Sequence, residues 1–186
     1  MKNSNYFSEY FKIIHQKLQT IAKEDLEEVA NYAYSVHEAK RKIIVVGNGG
    51  SAAMASHVTV DFTKAANIRA VNFNEADLIT CFANDYGYEN WVKKALEAYA
   101  DKDDLAILIS SSGKSPNILN GARQAKEMGL TVVTVSGFGS DNPLRQIGDV
   151  NLWVDSTAYN IVEMTHHIWL LAIIDYLIEK QSENEA

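Results

Sequence analysis

The chain has 186 residues, 47% of them hydrophobic, only two prolines, and a net charge of −7. That length and composition suit one domain with a sizeable core and exclude a disordered chain. The acidic balance leaves no basic surplus for phosphate backbones, so neither nucleic acid nor an anionic membrane is an expected partner.

Tyr6, Tyr10, Phe11, Ile14, Leu18 and Ile21 recur at helical spacing and predict a helix over Ser4 to Ala22. A second helix runs from Glu24 or Asp25 to about Lys40, with Leu26, Val29, Ala30, Ala33 and Val36 on one face. His15 and His37 fall in these helices and read as surface or interface histidines. Ile43 to Val46 is a short β-branched run, hence a buried strand. Gly47, Gly49 and Gly50 break it, and Ser51 is positioned to cap the next helix. Ala70 to Phe73 reads as a strand, Asn74 as the cap of a helix over Glu75 to Phe82, and Asn84 to Tyr88 as a loop.

Trp91 to Tyr99 is amphipathic, and Leu105 to Ile109 is a buried strand ending in Ser110-Ser111-Ser112-Gly113-Lys114-Ser115. Pro116 opens a helix that reaches Met128 and stops at Gly129. Leu130 to Val135 and Val150 to Val154 are further strands, Ile161 to Lys180 is a long terminal helix, and Gln181 to Ala186 reads as a frayed tail. Strands alternating with helices predict a three-layer α/β sandwich around a parallel sheet. Ligands of such sheets sit outside the strand carboxyl ends, where both glycine- and serine-rich loops fall. The boundaries expected are one domain over residues 1–186, with 1–40 as a helical pair and 41–181 as the core.

Cys81 is the one cysteine, which rules out an internal disulfide and fits a reducing compartment. The start is too polar for a secretory signal, and the longest apolar run, Ile168 to Ile174, is far too short to span a bilayer. A cytoplasmic protein is expected.

The first loop satisfies G-x-G-x-x-A, but the second strand offers no acidic residue for a ribose. The second loop contains Gly113-Lys114-Ser115, yet Leu108 stands where a phosphate-binding P-loop requires glycine. No nucleotide cofactor is expected. What remains is a cradle of four hydroxyls, Ser110, Ser111, Ser112 and Ser115, at a helix start. It suits the terminal oxygens of a phosphate monoester.

GNGGSAAMASH (Gly47 to His57), ISSSGKSPNIL (Ile109 to Leu119) and Asn84-Asp85-Tyr86-Gly87-Tyr88 resemble the sugar isomerase (SIS) domain in its phosphoheptose isomerase branch. The resemblance runs from about Tyr6 to Lys180. It implies a five-stranded, flavodoxin- or Rossmann-like SIS fold and a homotetramer with active sites at subunit interfaces. The implied reaction is aldose–ketose isomerisation of a sugar phosphate through an enediol. The leading candidate is sedoheptulose 7-phosphate to D-glycero-D-manno-heptose 7-phosphate, feeding surface polysaccharide (lipopolysaccharide heptose) synthesis. The serine loop would then hold the phosphate, and Asn48, Ser51 and Asp85 would line the sugar site. Asp61 stands at the family's catalytic glutamate, and His57 at a histidine that joins a zinc site in some members.

The terminal helix departs from that pattern. Aligned on Glu163, the family's glutamine falls on Val162 and its catalytic histidine on Leu170; aligned on the helix end, that histidine falls on Ala172. The helix offers His166 and His167 instead, and Glu163 and His167 share a face, as His57 and Asp61 do. Either Asp61 and His167 form the catalytic acid/base pair, or His57, Asp61, Glu163 and His167 converge on a metal such as Zn2+. The competing expectation is a non-catalytic SIS adaptor or sugar-phosphate sensor that binds a partner protein.

Overall fold

The computed structural model describes residues 5–185. Two helices come first, α1 (Tyr6–Leu18) and α2 (Lys23–Glu38). Strands β1 (Ile43–Val46), β2 (Ala70–Val71), β3 (Leu105–Ser110), β4 (Thr131–Ser136) and β5 (Val150–Trp153) follow. Between them run α3 (Gly50–Lys64), α4 (Ala76–Tyr86), α5 (Trp91–Tyr99) and α6 (Pro116–Glu127), and α7 (Tyr159–Glu185) comes last. All five strands are parallel, in the order β2-β1-β3-β4-β5. The order reverses between β1 and β3, and the crevice for a ligand opens at that point.

The alternation of side chains along the strands builds two cores. Ile43, Val45, Leu105, Ile107, Ile109, Val133 and Val135 meet α2, α3 and α7. Ile44, Val46, Ala106, Leu108 and Val132 meet α5 and α6, with α4 packed outside them. Each aliphatic side chain so buried contributes about 1.5–3 kcal/mol relative to exposure, which outweighs any single surface contact. At the amino ends of the strands, the fully buried Asp104 accepts from the Lys42 backbone N–H (3.0 Å) and pairs with the Lys42 ammonium (2.7 Å). Burial works against that ammonium, but hydrogen bonds to Asp101 and Asp104 outweigh it and push the Lys42 pKa up.

Four expectations are corrected. β2 stops at Val71, because the Asn72 side chain accepts the Asn74 N–H (3.0 Å) and turns the chain. Asn74 does not cap α4; its amide donates to the Ala52 carbonyl (2.7 Å) and to Ser56 Oγ (2.8 Å) on α3. Asn84 and Asp85 lie in the last turn of α4 rather than in a loop, and the chain turns only at Gly87 (φ 84°). The tail is not frayed over Gln181–Glu185 but continues α7, where the Gln181 amide donates to the Ala66 carbonyl (3.0 Å). The expected start of α1 at Ser4 lies outside the described residues.

On α1, Leu18 packs against the core, and its carbonyl accepts the Trp169 indole N–H (3.2 Å). Tyr6, Phe7 and Phe11 stay exposed. α7 is long and apolar enough by composition to cross a membrane, but half of that stretch is buried. Val162, Trp169, Leu170, Ile173, Ile174 and Leu177 place it in the core of the α2/α3 side.

His166 faces inward from the same helix and is fully buried. One ring nitrogen, Nε2, lies 2.9 Å from the Ser136 carbonyl, so it carries the proton and donates. Nδ1 finds no hydrogen-bond partner among the described residues. Burial lowers the His166 pKa from 6.5 to about 4, against the weaker opposing pull of the Ser136 carbonyl. The unfolded chain therefore takes up a proton near 6.5 that the folded chain refuses until about 4. Stability is intact above the higher value and declines as pH falls between the two, by about 3 kcal/mol in full. Thermal unfolding followed from about pH 7 to pH 4.5 should show this decline, and His166→Gln should flatten the slope. An unchanged slope in the variant would assign the decline to other groups.

Candidate functional site

The site forms where the loops after β1 and β3 meet. After β1, a Cβ at Gly47 would come 2.6 Å from Ser51 Cβ, so only glycine lets α3 start this close to the strand. Gly49 takes the helix N-cap position with φ 54°, and α3 begins at Gly50. Ser51 is therefore not the N-cap expected from the sequence. It lies inside the first turn, buried, with its N–H donating to the Asn48 carbonyl (3.0 Å). The positive end of the α3 dipole therefore lies at the crevice.

After β3 the serines form a tight turn. Gly113 (φ 65°) donates its N–H to the Ser110 carbonyl (2.8 Å), and the Lys114 N–H donates to Ser112 Oγ (3.2 Å). Ser110 Oγ and Ser115 Oγ are 3.0 Å apart, and Pro116 begins α6 directly behind them. Ser111 Oγ is buried without a hydrogen-bond partner among the described residues. A buried hydroxyl left unpaired costs about 1–3 kcal/mol, which a bound oxygen would recover. Lys114 is exposed.

These loops enclose a cavity of about 130 Å³ lined by Asn48, Ser51, Ile109, Ser110, Ser111, Ser112, Ser115, Tyr159 and Glu163. The structure thus brings all four serines together with Asn48 and Ser51. Among the described residues, no basic side chain lines the cavity. An anion there would be held by hydroxyls, backbone N–H groups and the starts of α3 and α6. Asn48 is fixed from two sides: its amide exchanges hydrogen bonds with Asn117 (3.0 and 2.9 Å), and the Tyr88 hydroxyl donates to its Oδ1 (3.2 Å).

α7 supplies the remaining wall. Tyr159 and Glu163 line the cavity from its first turns. The Glu163 carboxylate lies over Gly50, where a Cβ would come 2.5 Å from Oε2. Further along the α3/α7 seam, His167 Nε2 is 3.0 Å from His57 Nδ1, with the rings edge to face, and His57 Nε2 is 3.3 Å from Asp61 Oδ2. Burial first, and then the neighbouring His57, lower the His167 pKa, with Asp61 opposing. His167 is therefore a neutral imidazole at neutral pH.

This placement revises three sequence expectations. Asp61 lies ten residues beyond Ser51, about 15 Å along the helix, and faces His57 rather than the cavity. Asp85 is exposed on α4, beside Asn84 and Cys81, and does not line the cavity. His57, Asp61, Glu163 and His167 do not gather round one point. Glu163 turns to the serine cavity while the other three lie in a row, His167 hydrogen-bonded to His57 and His57 beside Asp61. No group of three or more His, Cys, Asp or Glu side chains among the described residues is arranged to hold a metal. The donor set therefore does not fit Zn2+ here. Leu170 and Val162, where the resemblance places histidine and glutamine, are fully buried among apolar neighbours. Tyr159 and Asn117 carried no local signal in the sequence, since only α7 brings Tyr159 to the cavity and only α6 brings Asn117 to Asn48. Tyr88 stood in the Asn-Asp-Tyr-Gly-Tyr segment without a role.

The SIS domain family model matches residues 5–137. The phosphoheptose isomerase of Fusobacterium nucleatum is 33% identical over 159 residues, covering 82% of this chain and 81% of its own length. That of Sulfurimonas denitrificans is 31% identical over 187 residues, covering 95% of each. Among solved structures, the phosphoheptose isomerase of Neisseria gonorrhoeae superposes with a TM-score of 0.85 at 26% identity, covering 92% of this chain and 94% of its own. A phosphoheptose isomerase from Francisella tularensis gives 0.86 at 24% identity, covering 96% and 100%, which is a likeness of fold.

Gly113 is where the serine turn is most sensitive. A Cβ there would meet the buried Asn142 side chain, whose amide bridges the Ser136 hydroxyl and the Gly137 and Gly139 carbonyls. With the positive φ added, Gly113→Ala should cost about 1–3 kcal/mol in urea denaturation and weaken binding of inorganic phosphate. Full retention of both would show that the turn has more room than these contacts allow.

Proposed function

Because the chain belongs to the SIS domain family, in its phosphoheptose isomerase branch, we propose that it interconverts a ketose phosphate and an aldose phosphate. The leading pair is sedoheptulose 7-phosphate and D-glycero-D-manno-heptose 7-phosphate. The observation that carries the reading is the serine cavity with its unpaired Ser111 hydroxyl. It is rich in donors, set between two helix starts, lined by no lysine or arginine among the described residues, and has a carboxylate on its wall. A phosphate monoester matches that donor set, and its sugar chain then extends along the α3/α7 seam.

Isomerisation removes a proton from C1, passes through an enediol and returns a proton to C2. The site must therefore supply a base and a group that serves the oxygens. His167, kept neutral and hydrogen-bonded to His57, can give and take a proton at oxygen. Asp61, behind His57, orients that ring. The reading extends to a cytoplasmic homotetramer whose sites are completed at subunit interfaces. The exposed aromatic face of α1 and the partly open row of His57 and Asp61 support it. An adaptor or sensor is the second reading, favoured by the apolar Leu170 and Val162 on α7.

Purified protein should convert sedoheptulose 7-phosphate to its aldose isomer. A hydrogen bond to a charged group contributes about 1.5–3 kcal/mol, so Ser110→Ala and Ser115→Ala should each raise KM roughly tenfold or more. Turnover with unchanged KM in both variants would remove the phosphate from this loop. Saturable binding without turnover would favour the sensor.

A further inference from the structure

We propose that Tyr88 is a positioning residue for the anion site: its hydroxyl occupies Asn48 Oδ1, so that the Asn48 amide offers a bound ligand only an N–H donor. This rests on the reading of the serine cavity as the phosphate site. Among the described residues, no lysine or arginine lines that cavity, and Glu163 puts acceptor oxygens on its wall. Its affinity for an anion therefore depends on which end of each neutral dipole is presented. A serine hydroxyl turns to suit its ligand. A side-chain amide carries its donor on one side and its acceptor on the other, and Asn48 is the one amide side chain on the wall among the described residues.

The hydrogen-bonding capacity of Asn48 is almost fully spent within the protein. Oδ1 has two lone pairs; one accepts from Asn117 Nδ2 (2.9 Å) and the other from the Tyr88 hydroxyl (3.2 Å). Nδ2 has two hydrogens and donates one to Asn117 Oδ1 (3.0 Å). One N–H is left for a ligand. The Asn117 exchange does not fix this polarity by itself. Two amides that each donate to and accept from the other stay paired if both turn over together, and Asn48 would then present a free acceptor. Tyr88 breaks that symmetry, because a phenol is a better donor than acceptor and reaches Oδ1 only in the observed orientation.

Tyr88 is itself held in place. The chain turns at Gly87 with φ 84°. The short helical turn Tyr88–Asn90 that follows is tied to α6 by Asn120, whose Nδ2 donates to the Glu89 carbonyl (2.9 Å) and to Asn90 Oδ1 (3.3 Å). Asn90 Nδ2 donates back to the Tyr86 carbonyl (2.9 Å). Since α6 also carries Asn117, a closed circuit runs from α6 through Tyr88 and Asn48 back to α6. Tyr88 is 55% exposed and is not among the residues lining the cavity, so its hydroxyl acts on a ligand through Asn48.

The test measures the Kd of sulfate and of inorganic phosphate at neutral pH for wild-type protein, Tyr88→Phe, Asn48→Ala and the double variant. Turnover of sedoheptulose 7-phosphate is followed alongside. Sulfate carries no proton and can use only donors, whereas inorganic phosphate keeps a P–OH that can donate to an acceptor. Tyr88→Phe removes one hydroxyl from an exposed ring. It should raise the sulfate Kd roughly fivefold and the phosphate Kd by no more than about twofold. The sugar phosphate, mostly a dianion without P–OH, should follow sulfate, with KM raised and kcat held within about twofold. In the Asn48→Ala background the same substitution should change neither Kd. Equal weakening of both anions would make Tyr88 a general prop of the loop and overturn the proposal. So would unchanged Kd values, or a loss that persists in the Asn48→Ala background. Any of these with wild-type turnover intact leaves the isomerase reading standing. If wild-type protein binds neither anion, the phosphate reading of the cavity falls and the role of Tyr88 falls with it.

Discussion

β1 and β3 lie side by side with Ile43 opposite Leu105 and Val46 opposite Leu108, and the geometry of the site follows from that register. Both strands are buried on both faces, so a slip by one residue would exchange the side chains assigned to each core. The Lys42–Asp104 contacts hold the register at the amino ends, away from the site. At the carboxyl ends the two strands deliver Gly47 and Ser110 as neighbours. The Asn48–Asn117 exchange of hydrogen bonds then ties the two loops together. Neither loop alone makes a cavity. The parallel pairing makes one because each strand must hand its chain to a helix that starts at the same crevice.

α7 serves the core and the site at once. Val162, Trp169, Leu170 and Ile173 commit one side of it to apolar packing, which fixes its rotation. With the rotation fixed, Glu163 and His167 must face α3, while His166 must face the end of β4. Two adjacent histidines thus have different fates for a geometric reason, since successive residues on a helix point about 100° apart. His166 is buried and neutral inside the protein; His167 stays at the seam, hydrogen-bonded to a partner across it.

The close approach of α3 to both β1 and α7 depends on absent side chains. Gly47 lets α3 begin directly on the strand, and Gly50 leaves the space that the Glu163 carboxylate fills. The site therefore lies where the fold could not accept a methyl group without moving a functional atom. Among the described residues, the structure offers hydroxyls and helix starts for an anion and carboxylate and imidazole groups for proton transfer, with no lysine or arginine on the cavity wall.

Much of this was legible locally. The apolar runs at Ile43–Val46 and Leu105–Ile109, the glycines behind the first and the serines behind the second determine strand, turn and helix start by periodicity and backbone freedom. Their alternation determines a parallel sheet. What local reasoning could not reach were side chains whose partners are distant in sequence. Ser51 looks like a helix cap but is buried, because Gly49 takes the positive φ that begins the helix. Asn74 looks like a cap but spends its amide on α3. Asp61 and His57 share a helix face, as their spacing says, but spacing does not tell that the face lies beyond the cavity. Nor does it separate Glu163 from His167 by what each touches. Sequence sets which residues share a face. Only the packing of α7 against α3, driven by burial of its apolar side, decides which of those faces meets the ligand.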